Sequence, residues 1–323
     1  MEQNETKVQS ASQTGDMNNA PAAVQSRESG AGGVLSPQAG VEACTCGRPG
    51  GRCMCGAQAN SNTNGATAPS YVYAQGRVEP RFPHLSVEKE FAQATGRAET
   101  AGLTDRQALH AVLSQKQNRY LARQLCYVLT VEGVETYILR PRDPADVDLL
   151  VEAVRPAPRP TDVDVVIGVR GPMAPPEMCN GLMVPIVVFD QIYSFDVDSF
   201  IKAIPRPEKP AAKEFAQAAE ELFFRVLQTA DNAGATDEHR ALNYCAVRYP
   251  EIYAMLAREQ AENRSLSAVE VRRSRLSGAR NVVDVIFSCT HRTTDVTEKR
   301  FCRVDVSDMF PFLVTKMSPY YDR

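Results

Sequence analysis

Residues 163–169 (VDVVIGV) and 184–189 (VPIVVF) are apolar runs rich in β-branched side chains. Their length and composition are those of strands buried on both faces, so the rest of the chain must be arranged around them. The link between them is dense in proline over residues 171–176 and then runs through Cys179, Asn180 and Gly181. Such a loop is built to hold one shape.

On either side of this stretch, the pattern alternates between helix and strand. A short strand over residues 71–74 leads through Gly76, Pro80 and Pro83 to a helix with Ser86 as N-cap and Val87, Phe91 and Ala94 on one face. Thr104 and Gln107 have capping-box spacing, and Leu109, Val112 and Leu113 then mark the buried stripe of a second helix. Residues 125–131 and 134–139 flank Glu132 and Gly133 as a β-hairpin. Asp143 and Pro144 open a helix that runs to Val154, and the proline-rich residues 155–160 end it. Asp196 caps a short helix closed by Pro205, and a connector over residues 206–210 precedes the clearest helix of all. There Phe215, Ala218, Leu222, Phe223, Val226, Leu227 and Ala230 recur at helical spacing, with Gly234 just past the end. Two further helices are split at Tyr249 and Pro250. From Leu266 the pattern becomes alternating, with strands over 268–276, 281–290 and 299–306 and a fourth over 312–317. Mixed helices and strands ending in an antiparallel β-meander predict an α+β fold.

Residues 1–70 have a different texture. They are rich in Gly, Ser, Ala and Asn, lack aliphatic periodicity, and are expected to form a disordered arm preceding a domain over residues 71–323. Within the arm, CTCGRPGGRCMCG places Cys44, Cys46, Cys53 and Cys55 as two Cys-x-Cys pairs. Four thiolates so spaced can hold one Zn²⁺ at about 2.3 Å each, and the glycines let the backbone wrap around it. A reduced Gly/Cys-rich linker is the other reading.

Composition excludes several classes. With 43% hydrophobic and 23% charged residues in 323, the chain suits a soluble globular protein. A formal charge of -3 and a pI near 5.9 argue against general binding to nucleic acid or anionic membranes, which needs a concentrated basic surface. No apolar run approaches the roughly 20 residues that span a bilayer, and no secretory signal opens the sequence, so a cytoplasmic location is expected. The five cysteines outside the arm then read as reduced core residues.

Catalytic signatures are mostly absent: there is no G-x-S-x-G elbow, Walker A loop, dinucleotide turn or H-E-x-x-H. Two candidates remain. Cys179, beside Asn180, is a possible nucleophile with His84 or His239 as base, or else a small buried thiol. Asp162, Asp164, Asp190, Asp196 and Asp198 can form a carboxylate pair or a hard-metal site, or else serve as caps and solvated edges.

Three long strings carry a family resemblance: YVYAQGRVEPRFPHLSVEKEFAQATGRAET, DVDVVIGVRGPMAPPEMCNGLMVPIVVFDQIYSFD and FPFLVTKMSPYYDR. Together they resemble the C-terminal domain of unknown function of PatG, the cyanobactin-maturation protein, related to that of PatA. The resemblance runs from about Ala68 to Arg323. It implies a part in making ribosomally synthesised, post-translationally modified peptides, where this domain accompanies a subtilisin-like protease and has no assigned catalysis. This chain lacks the protease's G-T-S and H-G-T segments, so no protease residue carries over. The expected role is a non-catalytic accessory module that binds a precursor peptide or a maturation protease, with an exposed strand edge of the meander as docking surface. The alternative is an unrecognised peptide-tailoring enzyme using Cys179 or the Asp162, Asp164 and Asp190 cluster.

Overall fold

The computed structural model describes residues 70–97, 102–205 and 211–321. The expected arm, with Cys44, Cys46, Cys53 and Cys55, and the connector 206–210 lie outside the described residues. Two sheets organise the rest. Strands β1 (Ser70–Arg81), β2 (Cys126–Val131), β3 (Val134–Pro141), β4 (Asp162–Met173) and β5 (Pro185–Asp196) close into a barrel in the order β1-β2-β3-β5-β4. Strands β6 (Arg264–Arg273), β7 (Val282–His291), β8 (Thr297–Asp305) and β9 (Phe312–Pro319) form an antiparallel meander in chain order. The expected α+β class and closing meander are both present.

β1 is longer than its sequence suggests. Gly76 does not break it. The strand pairs with β4 up to Gly76 and with β2 from Arg77 onward. A Cβ at Gly76 would lie 2.4 Å from the Thr130 carbonyl oxygen, so the missing side chain is what lets β1 turn this corner. Pro80 is accommodated near the end of the strand.

The β2–β3 hairpin forms as expected, with Glu132 and Gly133 at φ 49° and 82°, the backbone of a type I′ turn. β3 then pairs in parallel with β5, a non-local contact that no turn signal announces. β4 is buried on both faces from Asp162 to Gly168, as its apolar run predicts. β5 departs from that expectation. In it Val187, Phe189 and Ile192 are buried and the intervening positions are half-exposed.

Helices α1 (Leu85–Arg97), α2 (Asp105–Leu113), α3 (Arg119–Gln124) and α4 (Val147–Ala153) pack with the inner face of the barrel. One core joins Val72, Leu129, Leu139, Val166 and Phe189 of the five strands to Phe91, Val112, Leu121 and Leu150 of these helices. The Thr104–Gln107 capping box is formed on both sides, and Asp143 caps a 3-10 turn (Pro144–Asp146) leading into α4. Ser86 is not a cap; it lies inside α1, whose first amides bond to the His84 carbonyl.

Helices α5 (Val197–Ala203), α6 (Ala212–Leu227), α7 (Asp237–Arg248) and α8 (Glu251–Ala261) share a second core. It takes Tyr73, Val163, Val165 and Ile167 from the outer side of the barrel and Val283, Val285, Phe287, Cys302 and Val304 from the meander. The helices thus lie against β1 and β4 on one side and one face of the meander on the other. Asn243 of α7 makes the join polar as well as apolar. Its amide donates to the Tyr73 carbonyl at 2.8 Å and exchanges hydrogen bonds with Asn232, while Gln75 donates to its backbone carbonyl. Gly234, at φ 67°, accepts from the Tyr73 amide, and a Cβ there would lie 2.3 Å from the Tyr73 oxygen.

Candidate functional site

Among the residues singled out from sequence, Cys179 is fully buried. It lies under the turn over 175–182, where Asn180 sits at φ 48° and Gly181 donates to the Pro176 carbonyl. Its thiol meets Cys126, and that contact together with burial pushes its pKa far up, leaving it a neutral thiol. Neither His84 nor His239 is among the groups that act on it. His84 is exposed at the start of α1, and His239 is on α7. The candidate Cys–His pair is therefore not formed and the buried-thiol reading holds, because the loop turns Cys179 inward against β2. Cys126, Cys179, Cys245, Cys289 and Cys302 are all free and buried, as reduced core cysteines should be.

The aspartates separate into structural roles. Asp164 accepts from the Val78 amide at 2.8 Å and from Ser194 Oγ at 2.7 Å, and Arg155 lies 3.2 Å away. Burial outweighs these contacts and raises its pKa. Asp162 accepts from the Arg159 amide, and Asp196 caps α5 through Ser199. Asp190 stands apart with Arg142 at 3.0 Å, and Asp198 is exposed. The strand register brings Asp162 opposite Asp196 but leaves Asp190 elsewhere along β5. Among the described residues no group of three or more His, Cys, Asp or Glu side chains has metal-site geometry.

The edges of the meander are also less open than expected. On β9 the Met317 amide donates to Tyr249 Oη at 2.8 Å, and the Leu313 amide bonds to the Tyr244 phenol. On β6, Arg225 of α6 donates to the Leu266 and Ser267 carbonyls. Side chains of Tyr244, Tyr249 and Arg225 thus occupy two amides of β9 and two carbonyls of β6 that an added strand would otherwise use.

The face of the meander turned away from the helices offers more. Register sets Arg272 of β6 and Arg303 of β8 on either side of Asp284 of β7, and Arg303 donates to Asp284 at 2.8 Å. Arg303 also stacks over Phe301 with its guanidinium carbon 4.6 Å from the ring centroid. Arg272 lies 5.1 Å from that of Tyr320, and the two rings meet edge to face at 5.4 Å. Arg273, Arg275 and the exposed Tyr321 complete a groove of about 580 Å³. Four arginines line this groove but only Arg303 bonds to Asp284, and among the described residues neither Arg272 nor Arg275 has a carboxylate within ion-pair distance. In a chain of net charge -3 this is a local reversal of sign. Stacking holds two of the arginines extended, which lowers the entropy lost when they bind an anion. The sequence does carry a signal, the run VRRSR, but alternation absorbs it into a strand, and Arg303 joins it only through pairing.

Residues 209–320 match the family model described as PatG C-terminal. The likeness extends further in three dimensions. A solved structure titled "PatG Domain of Unknown Function" superposes with a TM-score of 0.64 at 20% identity, over 78% of this chain and 98% of that one. The expected resemblance therefore holds: residues 209–320 match the PatG C-terminal domain in sequence, and the chain shares the fold of a PatG domain of unknown function. The likeness reaches the barrel as well as the meander, which the family model does not. No curated protein matches.

Proposed function

We propose that this chain is a non-catalytic recognition module in the biosynthesis of ribosomally made, post-translationally modified, cyanobactin-like peptides. It would bind an acidic segment of a precursor peptide or of a subtilisin-like maturation protease. The observation that carries the binding reading is the arginine groove, with guanidinium donors in excess over the single Asp284. The pathway is supported by the family match and the shared fold, while the buried neutral Cys179 and the dispersed aspartates give no support to a catalytic role. No helix among the described residues is long and apolar enough to cross a membrane.

The test is fluorescence anisotropy with a labelled Glu/Asp-rich peptide and its Gln/Asn counterpart. The acidic peptide should bind saturably and weaken as salt rises. Arg272→Glu with Arg275→Glu should reduce affinity about tenfold or more, equivalent to about 1.4 kcal/mol. Equal affinity for the two peptides would reject the reading.

For residues 1–70 the proposal is that Cys44, Cys46, Cys53 and Cys55 hold one Zn²⁺. Metal analysis of the full chain should find it, and replacing all four with serine should remove it. Unchanged zinc in that variant would locate the metal elsewhere.

A further inference from the structure

An open cleft of about 400 Å³ lies where α7 and the loop before β9 meet the outer side of β1, β4 and β5. Three phenols and one guanidinium converge on it, those of Tyr73, Tyr193, Tyr244 and Arg248, with Ile167 and Val247 as apolar wall. The hydroxyls do not have equal freedom. Tyr193 donates to the Gln191 side chain, and the Tyr244 oxygen accepts from the Leu313 amide. The Tyr73 hydroxyl has no partner, although its residue is only 1% exposed. Burial raises its pKa, so it stays protonated and can donate. Arg248 is held with its guanidinium carbon 5.6 Å from the centroid of the Tyr193 ring, and among the described residues no carboxylate pairs with it.

The unpartnered Tyr73 hydroxyl, closed off from solvent, and the exposed, unpaired Arg248 guanidinium belong to the wall of one cleft whose lining contains no acidic residue. The group that satisfies both is a carboxylate, which accepts from each and neutralises the arginine. The apolar wall suits a hydrophobic side chain on the carbon that bears it. The cleft is open on one side, with Phe310 43% exposed at its lip, so the remainder of a ligand can run out over the surface. We propose that this cleft binds the free C-terminal carboxylate of a peptide that ends in an apolar residue. This goes beyond the recognition role assigned to the arginine groove and uses none of its side chains.

The experiment is an anisotropy titration of the full chain with an N-terminally labelled Ala-Ala-Phe peptide, as the free acid and as the C-terminal amide. The free acid should bind saturably, and the amide about tenfold more weakly or worse. Arg248→Gln should weaken binding of the acid by a similar factor and leave the amide unchanged. Tyr73→Phe removes a buried hydroxyl that lacks a partner, so it should raise the melting temperature of the free protein while weakening binding of the acid. Equal binding of acid and amide, no binding of either, or unchanged affinity in Arg248→Gln would each overturn the proposal. Arg272→Glu with Arg275→Glu should leave this binding intact, so failure of the groove and failure of the cleft are separable.

Discussion

The barrel and the meander solve the same problem in opposite ways. A β-sheet leaves two edges and two faces to be satisfied. The barrel removes its edges by pairing β4 with β1 and β3 with β5, and buries its inner face under α1 to α4. The meander keeps both edges, trims them with Arg225, Tyr244 and Tyr249, and gives one face to α6, α7 and α8. Its other face is covered by its own arginines and aromatic rings. Closure leaves few groups to spare, whereas the half-covered sheet keeps charged side chains available. Changes at the barrel should therefore be read out as stability, and changes on the outer meander as binding.

The largest expected effect is at the clamp between β1 and the loop before α7. Gly234→Ala places a Cβ against the Tyr73 carbonyl in a left-handed backbone, and should cost about 3 kcal/mol or more in urea unfolding. A loss under about 1 kcal/mol would show that the barrel does not depend on this contact. Next comes Asn243→Ala, which strips the Tyr73 carbonyl and Asn232 Oδ1 of their partners, leaves Asn232 Nδ2 only its bond to the Val226 carbonyl, and should cost about 2 kcal/mol. On the outer meander, Arg272→Ser with Arg275→Ser should shift stability by no more than about 0.5 kcal/mol while weakening acidic-peptide binding, since both side chains are exposed. If stability fell as far as it does in Asn243→Ala, the contrast between the two sheets would fail.

The smallest effect is a pH dependence at the seam of the barrel. Burial raises the Asp164 carboxyl above its ordinary 3.8, so the folded chain holds that proton more tightly than the unfolded chain does. The stability this contributes is full below 3.8 and is lost as pH rises through the raised native value. Asp164→Asn, which cannot titrate, should flatten that segment of the stability curve. If instead the wild-type chain gained stability relative to Asp164→Asn as pH rose through this range, Arg155, not burial, would govern the group.

How far the site was legible depends on which contacts make it. The hairpin at Glu132 and Gly133, the Thr104 capping box, the Asp196 cap and the helix break at Tyr249–Pro250 all appear where their sequence signals lie, because each is a bond between residues a few positions apart. Gly76 was misleading, since a glycine that lets two strands approach looks in sequence like one that ends a strand. For Cys179 the sequence offers both a nucleophile and a small buried thiol, and the inward turn of its loop against Cys126 makes it the buried, neutral thiol. Arg248 and Tyr73 lie far apart in sequence and carry no motif.

The sequence by itself determined the α+β class, the helix boundaries set by caps and prolines, the buried character of β4 and the resemblance to the PatG domain. These follow from side-chain periodicity and local hydrogen bonding, which a linear string records. The tertiary structure alone decided that β3 and β5 pair in parallel to help close a barrel, that the helices cap the edges of the meander, and that Arg272, Asp284 and Arg303 stand in one row. Those depend on which distant strands lie side by side, and strand pairing turns on the combined burial of many residues.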